Sequence, residues 1–437
     1  MPKPSDASLG IGTKFYLFIW AVSLLLPLLD GTVFGNGAGG LDARPLVKED
    51  HTYLFPLVYF LLGSLCFANA SAHFTVSLAC IAHATDLSIR WMRMPTIWDH
   101  EQWAVQIELT FLFIFLPCCV SPLLDSASLA RAEQAFFTIG RCQFVLLYAA
   151  ATFWKFNTSF FDTHVSCGTV LILETLSTYL PSSILTPSVA VALGKISPHL
   201  TALVEGGIAS TMAWEKTRHV AIVLGTVFHL TIFLLPVNSA GGFSMDCTTR
   251  FIIFFTSEEL QLYLSQLSFL RETVLAVAGT VGLVFLRYAC TGVPFDFGFM
   301  GMSLLTVFYI RAVVANTATK KDGEGKVLSK RRNILSQFHY LVMFFMLLLT
   351  VTYGFLTVIL GIQHMGAPTM YSNLRYYGGG NHYVSCFYLT LIRVQKSHIV
   401  SNVFCCSAVS WSQSRFSLTI LSMAAGLFRY WNLPRLH

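Results

Sequence analysis

The chain has 437 residues, of which 54% are hydrophobic, 14% aromatic and only 11% charged. With a mean hydropathy of +0.63, it carries more apolar residues than a soluble core holds. Its long unbroken apolar runs also exclude a membrane β-barrel, whose strands alternate polar and apolar residues. The net charge of +6 is no nucleic-acid signature, because much of it gathers in one segment, Lys320, Lys321, Lys326, Lys330, Arg331 and Arg332 against Asp322 and Glu324. The expected fold is an all-α polytopic membrane protein, a bundle of about eight to nine transmembrane helices at ~20 residues per crossing.

In chain order, Lys3 and Lys14 precede the apolar run Phe15 to Leu29. No small-residue cleavage site precedes Asp30, so the run reads as a first span or signal anchor. Gly31 to Gly40 is a glycine-rich loop, and Tyr53 to about Ala84 is longer than one crossing needs, which predicts a tilt, an overhang or a break near Asn69-Ala70-Ser71. Further spans are expected at Trp103–Val120, Ala135–Lys155, Val220–Val237, Thr273–Val293, Phe299–Ala315 and Phe338–Ile362. Between Ser166 and Trp214 the hydrophobicity is interrupted by Pro181, Pro187, Lys195 and Pro198. This predicts two short helices or a re-entrant element near 166–214, and broken backbone at membrane depth survives only where protein or a wet cavity covers it. Phe251 to Leu270 mixes Glu258, Glu259, Gln261 and Gln266 with Phe and Leu, and reads as an amphipathic helix on the membrane surface.

The basic loop 316–334 is expected on the cytoplasmic or stromal side by the positive-inside rule. Ser385–His437 contains no acidic residue, and its apolar run Ile399–Trp411 is too short for a crossing. The chain thus divides into N-terminal membrane helices (1–95), a central transmembrane domain (96–384) and an irregular tail (385–437). Eleven cysteines occur without a CxxC pair, so neither zinc nor a thioredoxin-like centre is indicated and no metal is expected. Membrane lipid and a hydrophobic small molecule are the expected partners, nucleic acid is not, and the sequence names no protein partner.

The chemistry-bearing residues sit inside the apolar runs. Arg141, Tyr148 and Lys155 recur every seven residues, which returns each to nearly the same helix azimuth and makes one polar stripe. An ionisable group there marks a functional site by default, although Lys155 and Arg141 lie near opposite ends of the run, where long side chains also snorkel to the interface. Glu101 and Glu108 repeat the seven-residue spacing beside His100. His229 lies mid-span in IVLGTVFHLTIFLLP, where a neutral ring bonded to a neighbouring helix is the plain alternative to a site.

Four segments together resemble a known family. WDHEQWAVQIELTFLFIFLP is similar to the W-N-N-H-x-x-L segment of the vitamin K-dependent gamma-glutamyl carboxylases and their horizontally transferred transmembrane (HTTM) relatives. GRCQFVLLYAAATFWKFNTSFFD resembles that family's lysine helix and TVFHLTIF its later F-H segment, while LGIQHMGAPTMYSNLRYYGGGNHY resembles the S-N-L-R and N-H signature of the HTTM branch. The resemblance implies an intramembrane base at Lys155 with His100 beside it as catalytic residues. It also implies substrate or cofactor contacts from Arg141, Tyr148 and His229. The implied cofactor is vitamin K hydroquinone or another reduced quinone, and the implied activity is that of a quinone-coupled lyase or epoxidase. Trp98 and Asp99 replace the family's two Asn, Phe156 replaces the Leu after the lysine, and Thr152 stands where a glycine is expected. The luminal domain by which carboxylases hold a protein substrate is absent from this pattern. A transporter or lipid-binding scaffold with the same fold is the alternative.

Overall fold

The structure, a computed structural model, describes residues 9–33, 54–66, 71–92, 99–120, 126–234, 241–266, 269–292, 297–322 and 337–359. The motif Leu360–Tyr383, the tail 385–437 and most of the basic loop lie outside these residues. Everything regular among the described residues is helical: α1 (Ile11–Val33), α2 (Leu54–Cys66), α3 (Ala72–Met92), α4 (Asp99–Val120), α5 (Ser126–Lys155), the single turn α6 (Thr158–Phe161), α7 (Cys167–Tyr179), α8 (Pro187–Ala213), α9 (Arg218–Phe233), α10 (Gly241–Arg250), α11 (Ser257–Gln266), α12 (Phe269–Thr291), α13 (Phe297–Asp322) and α14 (Gln337–Val351). Five of these segments are long and apolar enough to cross a membrane: Glu101–Cys119, Ser126–Lys155, Val274–Thr291, Phe297–Thr317 and Gln337–Leu356. Ile11–Leu26, Pro56–Leu65 and Arg218–Phe233 are shorter apolar helices.

α5 is the axis of the bundle, packed by α4, α8 and α14. Nearly all of it from Leu129 onward is buried on at least one side, with Ala135, Phe136, Ile139, Phe144 and Ala150 fully enclosed. The helix is pinned in its middle by Gln143, whose side chain accepts from Thr110 Oγ1 at 3.0 Å and donates to Thr350 Oγ1 at 3.2 Å. A buried amide with both ends bonded fixes the rotation of three helices against one another. α12 is the opposite case: it packs mainly on α13 and turns Val274, Val277, Val281 and Phe285 outward, as a lipid-facing helix does. It ends at Gly292, whose φ of +66° places it in the left-handed region that stops helices.

Within the long apolar stretch α2 ends at Cys66 and α3 starts at Ala72, with Ser71 outside the helix, and residues 67–70 lie outside the described residues. In the proline-rich region the structure has a helical hairpin, and its second arm, α8, is 27 residues long with Pro198 inside it. Proline cannot donate to the carbonyl four residues earlier. That freed carbonyl, Gly194 O, accepts the Thr169 hydroxyl of α7 at 3.0 Å. The interruption in hydrophobicity is therefore a tie between the two arms.

One segment departs from the sequence expectation. Phe251–Phe254 forms a 3-10 turn rather than the start of a surface helix, and Phe251 through Phe255 are core residues, all at most 2% exposed. Two of its carbonyls are satisfied from α5, and the Phe251 ring enters a gap left by Gly225 of α9, where even a Cβ would come within 2.5 Å of the ring. Helical polarity resumes only at α11, which opens with a reciprocal capping box: Glu259 N–H donates to Thr256 Oγ1 at 3.1 Å and Thr256 N–H donates to Glu259 Oε2 at 2.9 Å.

Candidate functional site

The three residues of the α5 stripe do share a face, but each meets its own partner in a separate layer, about 10 Å apart along the helix axis. In the first layer Arg141 donates from Nε to Ile253 O at 2.5 Å and from a terminal nitrogen to Phe255 O at 3.1 Å. It clamps the 3-10 turn to α5. In the second layer the Tyr148 hydroxyl is hydrogen-bonded to His229 Nε2, and His229 Nδ1 stands 3.4 Å from Ser244 Oγ of α10. Tyr148 and His229 are 2% and 0% exposed.

The third layer holds Lys155. Its ammonium lies 2.7 Å from Glu205 Oε2 of α8, with the lysine 2% and the glutamate 6% exposed. Lys155 therefore does not lift its charge toward an interface. The last turn of α5 favours a cation through the helix dipole; Nζ also approaches Ala151 O at 3.5 Å and lies 5.9 Å from the centre of the Phe160 ring. The pair forms because α5 and α8 come unusually close beside it: Gly206 presents no side chain, and a Cβ there would meet Thr152 Cγ2 at 3.3 Å. Thr152 Oγ1 is buried with no hydrogen-bond partner, one turn before the lysine. Phe160 flanks the ion pair, while Trp154 turns to the other side of α5 and packs on Phe355. Asn157, 5% exposed, accepts from Phe160 N–H at 2.8 Å and donates to Trp154 O at 2.8 Å.

Of the sequence-derived site residues, Lys155 holds the third layer, Tyr148 and His229 share the second, and Arg141 lies in the first. His100 sits in the first turn of α4, and its side chain lies outside the described residues. Glu205 was missed. Its signal was present, a lone acid in the apolar run ALVEGG, but it lay inside a region read as broken.

A second polar cluster lies among α1, α3, α4 and α10. Arg90 donates from Nε to Asp86 Oδ2 at 2.8 Å and stands 3.7 Å from Glu108 Oε1. Arg250 reaches the same Glu108 oxygen at 3.1 Å and Asp246 at 3.1 Å, and Trp20 Nε1 donates to Glu108 at 3.4 Å. His83, Asp86 and Arg90 sit at i, i+3 and i+7 on α3, a helical stripe that the sequence reading passed over. Among the described residues no group of three or more His, Cys, Asp or Glu is placed to hold a metal ion. No family model, curated protein or solved structure matches the chain.

Proposed function

We propose that this is a membrane enzyme of the HTTM and carboxylase-like kind, which takes a proton from an apolar, hydroxyl-bearing molecule at the Lys155–Glu205 pair. The observation that carries the reading is the pair itself, an ammonium and a carboxylate 2.7 Å apart in a nearly water-free layer. A protonated lysine is not a base. In this reading the lysine passes its proton to Glu205, and the neutral amine left behind accepts a proton from a ligand. Tyr148, held by His229, offers a hydroxyl to the oxyanion that forms. In this reading the buried, unpartnered Thr152 hydroxyl would bond a ligand oxygen, and a reduced quinone such as vitamin K hydroquinone would supply the acidic hydroxyl and the redox chemistry. In the same reading the chain crosses an endoplasmic reticulum or plastid membrane about eight to nine times at ~20 residues each. The basic segment 316–334, whose first seven residues belong to α13, then lies on the cytoplasmic or stromal side.

A transporter or lipid-binding scaffold remains the second reading, favoured by the Asp86–Arg90–Glu108–Arg250 cluster, a set of buried charges with no place in quinone chemistry. The test uses purified full-length protein in detergent with reduced vitamin K, oxygen and labelled bicarbonate, with and without a glutamyl peptide. Epoxide formed by the wild type and reduced about a hundredfold or more in Lys155→Ala supports the enzyme. Lys155→Arg should fail equally, because arginine stays protonated. Silence from folded wild-type protein in both the epoxide and the carbon-fixation channels overturns the enzyme reading.

A further inference from the structure

The cluster among α1, α3, α4 and α10 contains polar groups that nothing in the protein satisfies. His83 is 0% exposed, with its ring 3.8 Å from the Trp20 ring centre and 4.5 Å from that of Phe111, yet neither ring nitrogen has a hydrogen-bond partner. Glu108 Oε2, Arg250 Nε and the Tyr16 hydroxyl are buried and unpartnered as well. A buried polar group left without a partner is destabilising. Several in one place mark a centre whose hydrogen bonding is incomplete as the groups stand.

The charges narrow what completes it. Arg90 and Arg250 are the two guanidiniums of the cluster, and the carboxyls acting on Arg90 are Asp86, Glu108, Asp246 and Glu101. Two positive against four negative charges leaves an excess of two negatives if all are ionised. The Asp246 side chain is 20% exposed and keeps some solvation, whereas Asp86 and Glu108 are fully enclosed. The Asp86 and Glu108 carboxyls also approach within hydrogen-bonding reach of each other, and two carboxyls bond only if one of them carries a proton. The guanidiniums repel a metal cation and the surplus carboxyls repel an anion. A proton is the ligand that lowers the charge and completes the bonding.

We propose that Glu108, with Asp86, forms a buried proton-binding centre that takes up one exchangeable proton, separate from the Lys155–Glu205 pair. The proton passes from water to Glu108 Oε2 and is shared with Asp86; no electron moves. Tyr16 from α1 and Arg250 from α10 complete the groups facing it, so every helix around the centre contributes a donor or a charge.

The experiment is infrared difference spectroscopy on the full chain in lipid vesicles between acidic and alkaline buffer, with glutamate carboxyl carbons isotopically labelled. The expected result is a protonated-carboxyl band that shifts on labelling, disappears as pH rises and is lost in Glu108→Gln. Should that variant fail to fold, Glu108→Asp retains a carboxyl and should move the band. A folded wild type with no labelled carboxyl band at any pH would mean permanent ion pairs and would overturn the proposal. A band that survives Glu108→Gln, or does not move in Glu108→Asp, overturns it too.

Discussion

At the residue scale, the chemistry turns on what sits opposite each ionisable group. Lys155, Tyr148 and His229 were legible because a polar side chain in an apolar run stands out at any reading. Their partners were not. The heptad spacing places Arg141, Tyr148 and Lys155 on one face, but spacing on α5 carries no information about which residue of α8 faces them. That is decided by Gly206 against Thr152, a contact between residues more than 50 positions apart in the chain. Arg141 shows the same gap, since the carbonyls it clamps become available only because Phe251–Phe254 is a 3-10 turn. The Lys155–Glu205 pair gives a sharp expectation. If Glu205 receives the lysine proton, Glu205→Gln leaves the ammonium with no group to take its proton and lowers turnover about tenfold or more while leaving KM little changed, because the amide retains the shape of the site. Steady-state kinetics on the epoxidation assay checks this; an unchanged kcat would leave Glu205 only a structural part.

At the element scale, helix existence was largely readable from apolar run length, and the failures came where two elements shape each other. Phe251–Leu270 carries enough Glu and Gln to look amphipathic throughout, yet its first five residues are buried because α9 provides a slot at Gly225 and α5 provides an arginine for the exposed carbonyls. Gly225→Ala should therefore push the Phe251 ring out of its slot and lower stability by about 1–3 kcal/mol, measured by thermal unfolding in detergent. Adding Phe251→Leu should recover most of the loss. An unchanged melting temperature in the single variant would mean the ring moves without cost.

At the scale of the whole molecule, the ends of distant elements are tied at Glu259. It accepts from Arg218 at 2.7 Å and stands 3.2 Å from His219 Nε2, both on α9, while its own carbonyl accepts from Asn316 of α13 at 3.4 Å. Burial alone would raise its pKa, but the His219 hydrogen bond, the Arg218 charge and the Thr256 N–H outweigh that and hold the carboxyl well below the usual range. Because the unfolded chain binds this proton more readily than the folded one, the stabilisation is complete above the ordinary glutamate value of about 4.3 and fades as pH falls below it toward the folded value. Melting temperature should drop between about pH 5 and pH 3, and less steeply in Glu259→Gln. Parallel pH profiles for the two proteins would remove Glu259 from the acid response. None of this long-range tying is visible in a hydropathy trace, which reports where helices are and not which ones meet.

The π-helical turn Thr352–Leu356 at the end of α14 holds one more residue per turn than an α-helix. Gly354 O accepts from Trp154 Nε1 at 2.8 Å, and Trp154 is the immediate neighbour of Lys155. The turn therefore works as a register key. Removing one residue here would return the turn to α geometry and change which carbonyl faces the indole, breaking the bond from Trp154 Nε1 to Gly354 O. A deletion of the same size in a connecting loop leaves every helix phase intact. The chain should thus tolerate changes of length between its helices far better than the loss of a single residue at this one place.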